Sequence, residues 1–120
     1  MTQQRFAFPK SRRLTRSDEF ENVKENGRAE HGRFILVSVL KTDDNVPFRA
    51  GFITSRAVGS AVKRNRVRRR LREIVRKHQL EIVRGIWVVT IARRSATTAT
   101  HQQLEAEWLR LANRASILAA

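Results

Sequence analysis

A chain of 120 residues is the length of one domain, and its 25 Lys and Arg against 11 Asp and Glu leave a formal net charge of +14. That is far more than solubility needs, and it costs self-repulsion in any compact state, so a polyanion is the expected partner: nucleic acid first, an anionic membrane second, an acidic protein third. The lack of cysteine excludes disulfides and thiolate-held zinc and suits a reducing cytoplasm, no apolar run approaches the roughly 18 residues of a membrane span, and the polar start carries no apolar signal segment.

Residues 1–13 read as a flexible basic arm carrying Arg5, Lys10, Arg12 and Arg13. Phe6, Phe8 and Leu14 could pin it, and the two phenylalanines suit anchoring or base contact equally. Residues 16–26 have helical spacing, with Phe20 and Val23 on one face, Thr15 and Asp18 as a capping box and Gly27 as the stop. The β-branched run 33–40 predicts a strand, Thr42 to Asn45 a turn, and 48–54 a second strand; a short strand near 28–31 has only weak support. A helix follows over about 60–78. Arg84-Gly85 breaks the chain, 86–92 is the clearest buried strand, and 101–117 closes as an amphipathic helix. Leu104, Trp108, Leu111 and Ala115 form its apolar stripe, and Thr100 with Gln103 its capping box. The order helix–strands–helix–strand–helix implies an α+β fold, a single-domain α/β sandwich with helices packed on a sheet.

The helix at 60–78 carries the functional signal. Nine of the fifteen residues from Lys63 to Lys77 are Lys or Arg, and one, Glu73, is acidic. At about 100° per residue, Val67, Leu71, Ile74, Val75 and His78 share a stripe that faces the sheet. Asn65, Arg68, Arg69, Arg72 and Arg76 occupy a separate arc, with Arg66, Arg70 and Lys77 on a second flank. Arg64 projects near the apolar stripe, and Val62 falls off it. A solvated helix face ordinarily mixes signs, because like charges four residues apart repel. Arg64, Arg68 and Arg72 stand at that spacing, and Arg68-Arg69-Arg70 are consecutive. Arginine's planar fork binds phosphate bidentately and stacks on bases. The arc therefore reads as a nucleic-acid surface.

The run Ala61-Val62-Lys63-Arg64-Asn65-Arg66-Val67-Arg68-Arg69-Arg70-Leu71-Arg72-Glu73 resembles the RNR signature of the bacterial ribonuclease P protein subunit. Its surroundings are similar too. Arg13-Leu14, Glu19-Phe20, Val23 and Gly27 resemble the family's first helix, Gly51 to Arg56 with Val58-Gly59 the strand before the signature, and Val88 to Arg93 the last strand. The likeness spans about residues 12–115.

The resemblance implies an accessory subunit of a ribonucleoprotein endonuclease that removes the 5′ leader of precursor tRNA in the cytoplasm. Catalysis would reside in the partner RNA, with Mg²⁺ held by that RNA and no catalytic or metal-binding residue in the protein. The partners it implies are the catalytic RNA and precursor tRNA, with no membrane and no small-molecule substrate. Residues 1–120 would be one RNA-binding domain. Lys63, Arg64, Asn65, Arg66, Arg68, Arg69, Arg72 and Arg76 would touch RNA, with Arg12 and Arg13 in the arm. Phe20, Lys24, Phe34, Ile35, Val37, Ser55 and Arg56 would form a cleft for the single-stranded leader. A left-handed crossover would join the parallel strands, against the usual right-handed rule. Lys24 and Val37 stand where relatives often carry aromatics, and Ala57 where a basic residue is common, so this cleft should rely less on stacking and more on charge.

Other chemistry is thinly signalled. Asp18, Glu19, Glu21 and Glu25 are spread around a helix rather than gathered for a metal, and suit its N-terminus. His31, His78 and His101 are isolated, with His78 expected in packing. Ser55 lacks a nucleophile motif, Gly51 and Gly59 make no phosphate-binding glycine pattern, and Trp87 and Trp108 sit at core spacing. A non-enzymatic RNA-binding module, such as a ribosomal or RNA-chaperone protein, is the alternative. A membrane-surface helix is disfavoured by its capped, sheet-flanked setting.

Overall fold

The computed structural model describes residues 9–119. Arg5, Phe6 and Phe8 lie outside them. The elements are α1 (Ser17–Asn26), β1 (Arg28–His31), β2 (Ile35–Lys41), β3 (Arg49–Ile53), α2 (Ala61–Lys77), β4 (Ile86–Ala92) and α3 (His101–Arg114), with short 3₁₀ turns between several of them. The sheet order is β1-β2-β4-β3, in which β2 pairs antiparallel with both β1 and β4, and β3 lies parallel to β4. A parallel pair needs a crossover, and α2 provides it.

Both faces of the sheet are covered. Ile35 and Val37 of β2, Ala50 of β3 and Val88 of β4 face the main core, under Val67, Leu71, Ile74 and Val75 of α2 and Leu104, Trp108 and Leu111 of α3. The alternate residues face a smaller cluster under α1, built on Leu14, Val23 and Val89 with Phe20, Leu40, Ile53, Trp87 and Ile91. Strands buried on both faces lose the in-out alternation that would reveal their orientation. Trp108 is fully buried, and its Nε1 donates to Thr90 Oγ1 at 3.1 Å, so its polar edge is satisfied inside the core.

Several local expectations need correction. Thr15 does not cap α1. Glu19 Oε1 instead accepts from the backbone N–H groups of Thr15 (3.1 Å) and Arg16 (3.0 Å), and Arg16 is the N-cap residue. Gly27 does end α1, through close approach rather than a left-handed turn: a Cβ there would stand 2.4 Å from the Val23 carbonyl oxygen and 2.7 Å from that of Val39. α3 stops at Arg114, short of residue 117, and Leu118 forms an antiparallel bridge with Ile82. The basic arm does not run freely to residue 13. Lys10–Arg12 is a 3₁₀ turn, Arg13 bridges Ala50 in parallel, and the Leu14 N–H donates to the Ala50 carbonyl at 2.8 Å. The Arg12 guanidinium lies 5.3 Å from the Phe48 ring centroid, so Arg12 and Arg13 are docked along the outer edge of β3.

His78 ends α2 and is more than packing. Its Nδ1 lies 2.9 Å from Glu81 and its Nε2 2.7 Å from Glu105, with the ring stacked 6.4 Å from Trp108. Desolvation favours the neutral ring, but the bonds to Glu81 and Glu105 outweigh it and raise the pKa above the ordinary value. A raised folded-state pKa stabilises fully below the unfolded value of about 6.5, and that gain fades as pH rises through the folded value. The stability difference between wild type and His78→Gln should therefore be larger at pH 6 than at pH 9. Denaturant midpoints at the two pH values check this; a difference that grows with pH would contradict it.

Candidate nucleic-acid interface

α2 starts at Ser60, whose Oγ accepts from the Lys63 N–H, and it buries its apolar stripe against the sheet. The cations left outside divide by what they touch. Arg64 Nη1 donates to the Gly59 carbonyl at 2.9 Å, folding back over the preceding turn. Arg68 donates to Thr54 Oγ1 (2.5 Å) and Asn65 Oδ1 (3.2 Å), and Arg70 to the Ala99 carbonyl (3.2 Å). Arg76 pairs with Glu73, and Lys77 with Glu105 at 3.0 Å. For Lys63, Arg66 and Arg69 no side-chain hydrogen bond or ion pair forms among the described residues, and all three are exposed. Arg69 stands opposite the core stripe. Arg68, Arg72 and Asn65 lie toward β3, while Lys63, Arg66 and Arg70 border a small hollow against Thr97 and Thr98.

The predicted RNA-contacting set is thus gathered on one helix, but its members differ in readiness. Arg76 is largely neutralised by Glu73, a pairing the helical wheel did not weigh. Val62, which had no place in the stripe, is 67% exposed within the cationic surface.

A groove of 560 Å³ lies between α1 and the sheet, lined by Phe20, Glu21, Val23 and Lys24 of α1, Ala29 of β1, Leu36 and Ser38 of β2, Ile53 of β3, and Val89 and Ile91 of β4. Gly51 makes it possible. A Cβ at Gly51 would stand 2.5 Å from the Phe20 ring, so the aromatic lies directly on bare β3 backbone. Phe20 and Lys24 are where the sequence reading puts them. Phe34, Ile35 and Val37 are not: all three are buried in the main core beneath the other helices. The alternate β2 positions, Leu36 and Ser38, face the groove in their place. Ser55 and Arg56 are exposed in the turn that follows Ile53, between β3 and α2.

The electrostatics reinforce the frame. Arg49 ties α1 to the edge of the sheet, donating to Glu19 Oε2 (2.7 Å) and to the Arg13 carbonyl (2.8 Å), with its guanidinium 5.4 Å from the Trp87 ring centroid. Burial alone would raise the Glu19 carboxyl, but the bonds from Arg16, Arg49 and Thr15 outweigh it and hold its pKa below the ordinary value. Among the described residues no three His, Asp or Glu side chains gather as a metal cluster, and no helix is long and apolar enough to cross a membrane.

The family model for ribonuclease P matches residues 8–116. The chain belongs to the ribonuclease P protein family. The ribonuclease P protein component of Acidothermus cellulolyticus is 41% identical over 108 residues, covering 89% of this chain and 90% of that one. That of Beutenbergia cavernae is 38% identical over 98 residues, covering 82% of each. In fold, the chain is similar to the ribonuclease P protein of Staphylococcus aureus, with a TM-score of 0.82 at 24% identity over 91% of this chain and 99% of that one. The Thermotoga maritima protein matches with a TM-score of 0.76 at 24% identity, over 85% and 96%. As a ribonuclease P protein component, the chain is an accessory subunit of a ribonucleoprotein endoribonuclease in tRNA 5′ maturation.

Two features of the groove escaped the sequence reading. Leu36 and Ser38 were hidden by an apolar run that reads the same in either orientation. Glu107 was hidden by distance in sequence: its carboxylate accepts from the backbone N–H groups of Arg33 (2.9 Å), Phe34 (2.6 Å) and Ile35 (2.9 Å), shaping the start of the strand that floors the groove.

Proposed function

We propose that the ribonuclease P family protein divides its two surfaces between two RNAs. The outer face of α2, through Lys63, Arg64, Asn65, Arg66, Arg68, Arg69, Arg72 and Arg76, contacts the catalytic RNA, with Arg12 and Arg13 extending that surface along the β3 edge. The groove takes the single-stranded 5′ leader of precursor tRNA, with Phe20, Leu36 and Ile91 offering apolar contact to bases and Lys24, Ser55 and Arg56 bordering the backbone. The observation that carries this reading is the exposed set Lys63, Arg66 and Arg69, unpaired among the described residues, on the helix that bears the family signature. Cations left without carboxylates are suited to phosphates, and single strands are held by stacking faces beside positive charge.

Hydrolysis then belongs to the RNA, with Mg²⁺ held by RNA phosphates, and the reaction takes place in the cytoplasm. The protein supplies positioning and charge neutralisation. Reconstituted processing tests this. With the catalytic RNA, the protein should strengthen binding of precursor tRNA and lower the magnesium requirement, and the benefit should shrink when leader nucleotides are removed. Stimulation that ignores leader length would remove the groove from the account. RNA binding without any stimulation would favour a general RNA-binding module.

A further inference from the structure

A second recess, of 640 Å³, opens at the end of the sheet away from the start of α2. Val39 and Leu40 of β2, Ile86 of β4 and Ile117 give it an apolar lining, and the C-terminal ends of α1 and α3 flank it. Its mouth is cationic. Arg28 opens β1, Lys41 closes β2 opposite Ile86, and Arg84 lies two residues before β4, so the three stand at the ends of neighbouring strands. Arg28 reaches Glu30 only at 3.8 Å, and Arg84 donates to the Asn45 carbonyl at 2.6 Å. Lys41 has no side-chain partner among the described residues. Asp44 is the one carboxylate in the lining. The loop that carries it is tied down, with the Thr42 N–H donating to the Gly85 carbonyl (2.7 Å) and the Gly85 N–H to the Val46 carbonyl (2.8 Å).

The other side of the recess offers acceptors. The last carbonyl groups of a helix have no intrahelical donor, and both α1 and α3 end here. α3 closes in a paired cap, with the Ser116 N–H donating to the Asn113 carbonyl (3.0 Å) and the Ile117 N–H to that of Ala112 (3.1 Å). Such a cap needs one left-handed residue, for which glycine is the least costly choice. Here it is Ser116, at φ 61 the one non-glycine residue with positive φ among the described residues. Serine at this strained position places a hydroxyl on the recess wall, and that hydroxyl has no hydrogen bond among the described residues. A bare oxyanion would use the cations alone and would meet the negative ends of two helix dipoles. A nucleotide matches every side: phosphate for the cations, a base for the apolar lining, and exocyclic amine donors for Ser116 Oγ and the helix-end carbonyls.

We propose that this recess is a nucleotide seat, holding the phosphate on Arg28, Lys41 and Arg84 and an amino-bearing base against Ser116. A free mononucleotide and a nucleotide within single-stranded RNA share that chemistry. Nothing in the seat depends on how α2 or the groove is used. Amide chemical shifts test it, followed while adenosine 5′-monophosphate, adenosine and inorganic phosphate are titrated separately into the full chain at matched ionic strength. The monophosphate should give saturable shifts at Lys41, Gly85, Ser116 and Ile117, at lower concentration than adenosine or phosphate. Lys41→Gln should weaken that response about fivefold, the order of one exposed charge-assisted contact. Ser116→Gly relieves the left-handed strain, so it should fold at least as well and still bind the monophosphate more weakly. Arg66→Gln, on α2, should leave the response at the recess unchanged. A single-stranded trinucleotide separates the two sources: tighter binding than the monophosphate assigns the seat to RNA, and weaker binding assigns it to the free nucleotide. An equal response at the recess to inorganic phosphate and to the monophosphate, shifts confined to α2, or wild-type affinity in both Lys41→Gln and Ser116→Gly would overturn the proposal.

Discussion

Replacing Glu107 by alanine is expected to cost about 3–5 kcal/mol of folding stability, because it removes a buried, hydrogen-bonded charge. Its side chain is 6% exposed, and its two oxygens accept from three consecutive backbone N–H groups, with Arg110 Nη2 at 3.3 Å from Oε1. Once the carboxylate is gone, the N–H groups of the buried Phe34 and Ile35 lose the acceptor they have in the folded state. Glu107→Gln should cost less, since it keeps one acceptor oxygen, but its amide NH₂ then confronts a backbone donor. Chemical denaturation should show a lower midpoint with an unchanged slope. A loss under about 1 kcal/mol for the alanine variant would mean that the turn before β2 finds other partners.

The second large effect concerns RNA. Changing both Arg66 and Arg69 to alanine should weaken binding to the catalytic RNA and flatten its salt dependence. Each phosphate contact contributes a slope of about 0.7–0.9 in log K against log salt, so losing two should reduce the slope by about 1.4–1.8. Neither side chain holds a hydrogen bond or ion pair among the described residues, so the folded state should keep its stability. Arg76→Ala provides the contrast. Glu73 neutralises Arg76 and is itself held ionised, the side-chain bond to Arg76 being the largest cause of its lowered pKa. Removing Arg76 should therefore change the slope by less than removing Arg69. Equal effects at the two positions would show that the Glu73 pair opens on binding.

Much of this arrangement is legible in the residues, and the reason differs by element. α2 can be read because its core positions, Val67, Leu71, Ile74 and Val75, keep helical spacing while nearly everything else carries the same charge. β4 can be read from the β-branched run Val88-Val89-Thr90-Ile91. The orientation of β2 cannot, because Ile35, Leu36 and Val37 are all apolar and both faces of the strand are covered. Phe34, Ile35 and Val37 consequently belong to the main core, and Leu36 and Ser38 to the groove. The state of each arginine is equally hidden, since pairing depends on neighbours far along the chain. Arg68 meets Thr54 across 14 positions and Arg70 meets Ala99 across 29. Arg12 and Arg13 look like part of a free basic arm until Ala50 and Phe48 are seen to hold them.

Site-specific photo-crosslinking in the reconstituted holoenzyme with bound precursor tRNA tests the division between two RNAs most directly. A photoreactive residue is placed at Arg69, on the outer face of α2, or at Leu36, in the floor of the groove. The account predicts adducts to the catalytic RNA from position 69 and adducts to leader nucleotides from position 36, the latter lost when the leader is absent. Leader adducts from position 69, or adducts from position 36 that persist on the catalytic RNA without a leader, would contradict it.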